Sequence, residues 1–501
     1  MNQETDVLII GAAICGSSIA RELSQYNVKV TVIEKNLDSF NGQSKGSHAF
    51  IYNGRSLTSG ASLVLKSMID PDAPLWDADS EKMRLNIRGY ELFCEMADRL
   101  EIPYIDLKAV MLAHNEEQAA RLDKMYDLVC EMGIQDDVQR LTGKEMLEME
   151  PSLPADVVAG LYSEKHAKVT YPFEYVFANV DNARDNGVEF HYGAEVIGIE
   201  AGIDSFEVKT TKGTIRAKYL VNAAGAWAHK VAEMAGARDD WDIVYYKTQC
   251  VLLDRARGAS IKTVNQIMGP PTPGFVEGFM MTVHGNPYLY CGAYNKEEDP
   301  QARETREEWW KENIEHGKSL MAKFTKSDMI TAFTGMRAFN TRDPEESIIE
   351  FSKSCKNPNF LNVAMRLPGY TFSAAVAKYV VNLLGNQGVE LVENVQYNPY
   401  RKAIVRVKDL TTDQRAKLIK KDGRYGRIIC KCESVTEGEI VEAIKRGART
   451  IQGVAYRTRA GLGRCQRNWC GPQVLQVLAR ETGLPLSKIS KHGLGSAEVF
   501  Q

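Results

Sequence analysis

The stretch Val7–Lys35, VLIIGAAICGSSIARELSQYNVKVTVIEK, decides how the chain begins to fold. Asp6–Ile10 reads as a strand, Gly11 opens a turn, Ile14–Tyr26 carries helical spacing, and Lys29–Glu34 reads as a second strand. Such a unit with short connections implies a parallel sheet buried on both faces. The turn Gly11-Ala12-Ala13-Ile14-Cys15-Gly16 follows a G-x-G-x-x-G fingerprint with Ala13 at the second glycine position. There the first glycine makes the turn, the second admits a pyrophosphate and the third packs helix on strand. A methyl at Ala13 crowds a phosphate without excluding it, because the helix start still offers N–H groups and the positive dipole end. Glu34 lies 23 residues after Gly11, where a carboxylate accepts both ribose hydroxyls. An ordinary strand–helix turn explains the glycines alone. Glu34 at this distance favours a bound dinucleotide.

The rest of the chain is organised around that unit. Its 501 residues, 44% apolar, are enough for more than one domain. A formal charge of −3 argues against nucleic acid or an anionic membrane as partner. Polar MNQETD runs straight into VLII with no basic segment or cleavage site, and no apolar run is long enough to span a bilayer. A cytoplasmic location is expected. The segments GVEFHYGAEVIGIEAG and FEVKTTKGTIRAKYLVNAAG alternate like strands around a KGT turn. EEWWKENIEHGKSLMAKF reads as a helix, and PGYTFSAAVAKYVVNLLGN as a turn followed by a helix. Two segments favour FAD over NAD: YLVNAAGAW, Tyr219–Trp227, a strand entering a small-residue turn, and RLPGYTFS, Arg366–Ser373, opening a helix. A helix start there can aim N–H groups at the flavin edge that gathers negative charge on reduction.

Of ten cysteines, six (Cys15, Cys94, Cys130, Cys250, Cys291, Cys355) are scattered and read as small buried hydrophobes. The other four form Cys430-x-Cys432 and Cys465-Gln-Arg-Asn-Trp-Cys470. Four thiolates in two close pairs can hold zinc or a [2Fe–2S] cluster. Zinc sites favour CxxC knuckles, and neither pair has that spacing. Between Arg424 and Cys470 stand ten Lys or Arg and four Glu, a positive shell that suits an anionic cluster.

The Gly11 turn, VIEK, VNAAGAW, GMRAF and PGYTFS together resemble the D-amino-acid oxidase superfamily of FAD enzymes. Within it the chain is similar to the large subunit of anaerobic glycerol-3-phosphate dehydrogenase and the 2-hydroxyglutarate oxidases. The tail, CKCESVTEGEI…RTRAGLGRCQRNWC, resembles the bacterioferritin-associated-ferredoxin-like [2Fe–2S] domain. The resemblance implies an α/β fold: a Rossmann-like FAD domain, an antiparallel-sheet substrate cap and a small, mainly helical C-terminal [2Fe–2S] domain. It divides the chain into an FAD unit at 1–85, 150–228 and 330–395, a cap at 86–149 and 229–329, a linker at 396–424, the cluster domain at 425–482 and a tail at 483–501. It further implies FAD contacts from Gly11, Ala13, Gly16, Glu34, Lys35, Ser44, Lys45, the backbone near Val196, Gly225 and the turn Gly369-Tyr370-Thr371. Cys430, Cys432, Cys465 and Cys470 would ligate the cluster. Relatives often carry a glycine between the last two cysteines, where this chain has Gln-Arg-Asn-Trp.

The resemblance also implies a substrate cation at Arg337, with Arg366 as a second candidate, since an arginine fork suits carboxylate or phosphate. In GQSKGSHAFIYNGRS, Ser47, His48 and Tyr52 replace the residues usual among relatives, Tyr52 standing where a histidine is common. A phenol with a pKa near 10 is a poor base at neutral pH, which makes His48 the candidate base. His284 is a candidate pocket residue, and the inserted stretch Ser62–Met83 is expected at the cavity mouth. A flavin takes two electrons and an iron–sulfur cluster carries one. Their union in one chain points to a dehydrogenase that feeds a redox partner, and the resemblance implies oxidation of a CH–OH bond of a small anion (glycerol 3-phosphate or a 2-hydroxy acid) with a partner flavoprotein or iron–sulfur subunit as acceptor. Oxidation of a CH–NH bond in an amino acid, secondary amine or opine is the alternative. A non-catalytic electron-transfer subunit is a third.

Overall fold

The computed structural model describes residues 2–54, 57, 81–131, 133, 137–270, 275–293, 295–302, 304–344, 346–493 and 495–497. Most of the inserted stretch Ser62–Met83 therefore lies outside the described residues.

The opening unit forms as its sequence requires. Asn2–Ile10 is a strand whose residues Val7, Leu8 and Ile9 have no exposed surface. It lies parallel to Val30–Glu34 on one side and to Gly213–Asn222 on the other, so that Leu8 sits between Thr31 and Leu220. Phe360–Ala364 and Glu189–Tyr192 extend the parallel set, and Ile348–Phe351 adds an antiparallel edge. Helix Ile14–Leu23 packs against helices Pro172–Asp185 and Gly369–Asn386. The KGT segment turns a hairpin onto Gly213–Asn222.

The cap is a ten-stranded sheet. In order it runs Asn295–Glu297, Ile243–Leu253, Tyr288–Ala293, Phe275–Met280, Gln266–Met268, Tyr104–Ala113, Ala159–Thr170 and Phe50–Tyr52, with Met329–Asn340 on Ile243–Leu253 and Val138–Thr142 on Ala159–Thr170. It is antiparallel except where Gln266–Met268 lies parallel to Tyr104–Ala113. Three of its strands, Phe50–Tyr52, Ala159–Thr170 and Met329–Asn340, come from segments that the sequence division gives to the FAD unit. Alternation identifies a strand but not which of two sheets receives it, and these three segments run from one sheet to the other.

The segment 396–424 is more ordered than a linker. Asn182 donates to the Asn398 carbonyl at 2.9 Å, Arg401 reaches Asp181 at 3.0 Å, and Thr411 caps a helix, Thr412–Lys421. Beyond 482 the chain also returns to the cluster domain: Ile489 is buried in its core, and Ile451 N–H donates to the Ser490 carbonyl.

The cluster domain is helical, with Thr436 closing a capping box on Glu437–Lys445. Its helix Ile451–Thr458 docks on the segment that follows Glu34. The Arg457 guanidinium forks onto Asp38, with 2.9 Å between Nη2 and Oδ1, and lies 3.7 Å from the Phe177 ring centre. Side chains of both partners are less than 5% exposed. Tyr456 stacks on Phe173 at 4.2 Å, and Phe40 closes the group at 4.1 Å from Phe173. Removing one partner of such a buried pair leaves the other charge uncompensated. Asp38→Ala should lower stability by about 3 kcal/mol or more in urea unfolding; an unchanged midpoint would show that the pair does not hold the domains.

Candidate active site and iron–sulfur centre

The dinucleotide cradle is built from close backbone contacts. Gly11 has φ +102°, and a Cβ there would meet the Ala223 carbonyl at 2.5 Å; one on Gly16 would meet the Gly11 carbonyl at 1.9 Å. Both positions therefore admit glycine alone. The helix after Ala13 and the helix at Gly369 each begin without a cap from the residue that precedes them, and apart from Ile14 N–H, which Ser44 takes, their starts suit an anion or a flavin edge. Glu34 accepts from Ala12 N–H at 3.1 Å and from Asn36 N–H at 2.9 Å. Burial pushes its carboxyl up, against those hydrogen bonds. Ser44 Oγ accepts from Ile14 N–H at 3.3 Å.

Lys35 and Gly225 follow the C-terminal ends of the parallel strands Val30–Glu34 and Gly213–Asn222. Lys35 Nζ lies 3.7 Å from the Trp227 ring centre. Gly225 has φ +57°, and a Cβ there would meet the Gln43 side chain at 2.8 Å. A narrow crevice between Gln43, Gly225, Ala338, Met365 and Arg366 opens there. Tyr370 is buried and its hydroxyl donates to the Pro172 carbonyl at 3.1 Å. Thr371 Oγ1 accepts from Tyr52 N–H at 3.0 Å. Lys45 Nζ faces Tyr456 of the cluster domain at 5.8 Å. Val196 begins a hairpin strand against Thr210, at the side of this sheet. These glycine contacts, uncapped helix starts and the Glu34 carboxylate fit FAD.

The candidate catalytic residues meet where the cap crosses the FAD unit. A Cβ on Gly46 would stand 2.4 Å from Gly335 Cα, so these two glycines bring the Gln43–Gly46 turn onto strand Met329–Asn340. Two residues beyond Gly335, Arg337 Nε donates to Thr248 Oγ1 at 3.4 Å. His48 Nε2 lies 3.0 Å from Cys250 Sγ, and its ring lies 4.7 Å from Tyr290 and 6.3 Å from Tyr288. Burial, then the Arg337 charge, draws the His48 imidazole down to about 3. Burial likewise pushes the Cys250 thiol up to about 12, so both are neutral in the physiological range. Tyr52 stacks on Phe50 at 5.2 Å.

Two candidates lie elsewhere. Arg366 donates to the Pro344 and Leu367 carbonyls at 2.6 and 3.0 Å, holding a loop. His284 meets the edge of Tyr171 at 4.4 Å, and its backbone carbonyl accepts from Arg255, so it belongs to the seam with the cluster domain. Sequence reasoning missed Cys250, Tyr288, Tyr290 and Gln266, which donates to the Tyr290 hydroxyl at 3.1 Å. Period-two spacing in Tyr288-Leu-Tyr290 was the available signal; Cys250 had none.

In the cluster domain the thiols meet two by two, Cys430 with Cys470 and Cys432 with Cys465. Among the described residues no three His, Cys, Asp or Glu side chains form a ready ligand set for one metal ion. A [2Fe–2S] cluster instead takes two thiolates on each iron. The hydrogen bond from Cys470, with backbone N–H groups of Gly461 and Glu433, outweighs burial and holds Cys430 below the usual thiol range. Backbone N–H groups of Trp469 and Arg467 aim at Cys465 and draw it down against burial. Arg467 Nη1 is buried without a partner, a donor left for an anionic group. Gln466 and Arg467 both take left-handed backbone, at φ +47° and +77°. This donor set fits the cluster.

Glu433 is 3% exposed and accepts from Arg459 at 2.8 Å and Arg255 at 2.6 Å. Arg459 also reaches Asn286 at 3.0 Å and the Tyr171 hydroxyl at 3.4 Å. The residue after Cys432 is thus tied to the cap loop carrying His284 and Asn286.

A Rossmann-type cradle, a cap sheet whose Arg337 stands beside His48, and a four-thiol domain docked on the cradle define an FAD-dependent oxidoreductase with a [2Fe–2S] domain. Residues 6–383 match the profile of FAD dependent oxidoreductases, DAO, and residues 428–480 match that of the BFD-like [2Fe-2S] binding domain. The chain belongs to the DAO family. It is 36% identical to a glycerol 3-phosphate dehydrogenase of Caloramator mitchellensis, over 98% of this chain and 97% of that one. It is 22% identical to a subunit of the anaerobic glycerol-3-phosphate dehydrogenase of Escherichia coli K12, over 96% and 89% of the two chains. In fold it resembles the L-alpha-glycerophosphate oxidase of Mycoplasma pneumoniae solved with FAD bound, with a TM-score of 0.68 and 22% identity over 79% of this chain and 98% of that one.

Two outcomes test this geometry. Gln466→Gly should stabilise the cluster domain by up to about 1 kcal/mol, because glycine adopts left-handed backbone without the Cβ cost; a loss in urea unfolding would contradict it. His48 remains neutral when folded but takes a proton when unfolded. Stability should therefore fall as pH drops from the ordinary histidine value of 6.5 towards about 3. His48→Gln should lessen that fall, to which the buried His166 also contributes, in acid titrations followed by circular dichroism.

Proposed function

We propose that the chain oxidises the secondary alcohol of glycerol 3-phosphate and passes the electrons to a partner flavoprotein or iron–sulfur subunit in the cytoplasm. The observation that carries this reading is Arg337, a cation held beside His48 at the strand crossing made by Gly46 and Gly335. The near full-length similarity to a glycerol 3-phosphate dehydrogenase supports the choice of substrate. Bound FAD supplies a two-electron hydride acceptor, and the [2Fe–2S] cluster supplies a one-electron carrier.

The chain's own residues do the rest. Arg337 binds the phosphate oxygens with its fork, which fixes the reacting carbon against the strand ends. His48, neutral beside that cation, accepts a hydrogen bond from the substrate hydroxyl and orients it. Placed next to a guanidinium, its imidazole is a weak proton store, so activity should show no ionisation step near 6.5 from this residue. Phe50, Tyr288 and Tyr290 line the His48 side and exclude water. Tyr52 extends this aromatic wall through its stack on Phe50.

The direct test is anaerobic mixing with glycerol 3-phosphate, 2-hydroxyglutarate, sarcosine or proline, followed by the visible spectrum. Glycerol 3-phosphate should bleach the flavin; bleaching by sarcosine or proline alone would overturn the CH–OH reading. Arg337→Met should lower the second-order rate of bleaching about hundredfold, since a charge-assisted contact contributes roughly 2–3 kcal/mol. An unchanged rate would remove Arg337 from the site.

A further inference from the structure

The four thiols are not equally exposed. Cys430 and Cys470 are each 1% exposed, whereas Cys432 and Cys465 are partly open. Their two loops touch, for a Cβ on Gly463 would stand 2.5 Å from Cys432 Cβ. Around this opening Lys431, Ser434, Arg464, Gln466, Asn468 and Trp469 are exposed. Trp469, beside Cys470, has 71% of its surface exposed. A single exposed aromatic is common on a protein surface. One at the rim of an electron-transfer centre is placed to anchor a partner.

Charge narrows the partner. Residues 430–434 and 461–471 contain one carboxylate, Glu433, and it is buried on two guanidiniums. The exposed charges on these loops are Lys431 and Arg464, with Arg467 half-buried behind them. Asp254 of the cap offsets part of Arg464 at 2.6 Å. The face is thus positive with an apolar centre, in a chain whose overall charge is −3.

We propose that the loops Lys431–Ser434 and Arg464–Trp469 form the docking surface for an acidic one-electron carrier protein, with Trp469 at its centre. This rests on the reading that the chain delivers electrons to a partner. Oxidation of one CH–OH carbon releases two electrons and two protons, so two carrier molecules are reduced for each substrate molecule. An acidic face on the carrier would meet the positive rim and bring its own centre over the partly open Cys432 and Cys465.

The test is a calorimetric titration of the full-length holoprotein with an oxidised acidic [2Fe–2S] ferredoxin, and in parallel with basic cytochrome c. Ferredoxin should bind, with a Kd that rises with salt. Trp469→Ala should raise that Kd about thirtyfold, as expected for a central interface anchor. Lys431→Glu should weaken binding and flatten its salt dependence. Both side chains are exposed, and an unchanged visible spectrum checks that each variant keeps its centres. The proposal is overturned if ferredoxin does not bind, if both variants bind it as the parent does, or if cytochrome c binds equally well. Anaerobic bleaching by substrate without carrier reports separately on the catalytic reading, so a failure of one does not mimic a failure of the other.

Discussion

The Arg457–Asp38 pair joins the two redox units of this protein. Asp38 stands four residues past Glu34, on the segment that leads from Glu34 to Ser44 and Lys45. Arg457 stands on a helix of the cluster domain between the two cysteine pairs. Their fork is buried, lies on the face of Phe177 and is flanked by the Phe40, Phe173 and Tyr456 rings. A charge pair of this kind gains little over an apolar contact of equal volume, but it fixes one geometry, because any other docking leaves a charge buried alone. The same helix therefore sets the position of the cluster and restrains the loop that borders the dinucleotide.

A second constraint acts on the substrate side. Gly46 and Gly335 meet backbone to backbone, which leaves no space for a side chain at either position. Arg337 and His48 lie within two residues of that crossing, so it determines where the Arg337 guanidinium stands relative to His48. Glu433 closes the arrangement from the other end: it follows a cluster cysteine directly and is gripped by Arg255 of the cap. Cap, cradle and cluster domain are thus joined by three contacts.

Much of this was legible in local sequence because the signals are local. The fingerprint turn, Glu34 at its distance, the uncapped helix at Gly369 and the paired cysteines each fall within short windows, and each structural expectation follows from backbone geometry. The seam was not legible. Asp38 and Arg457 are 419 positions apart, and neither has a neighbour in sequence that announces a partner. Ala159–Thr170 and Met329–Asn340 carried no strand reading in the sequence, and nothing in a local window says that both join the cap sheet. His48 was visible as a candidate base; only its burial beside Arg337 shows that it stays neutral. The segment 396–424 looked like a polar linker because its order comes from contacts with distant residues such as Asp181 and Asn182.

The central claim is that substrate electrons reach the C-terminal cluster within this one chain. Freeze-quench electron paramagnetic resonance of the holoprotein, mixed anaerobically with one equivalent of glycerol 3-phosphate and no carrier, tests it most directly. The signal of a reduced [2Fe–2S] cluster should rise as the flavin bleaches. A fully bleached flavin beside iron that stays silent would contradict it.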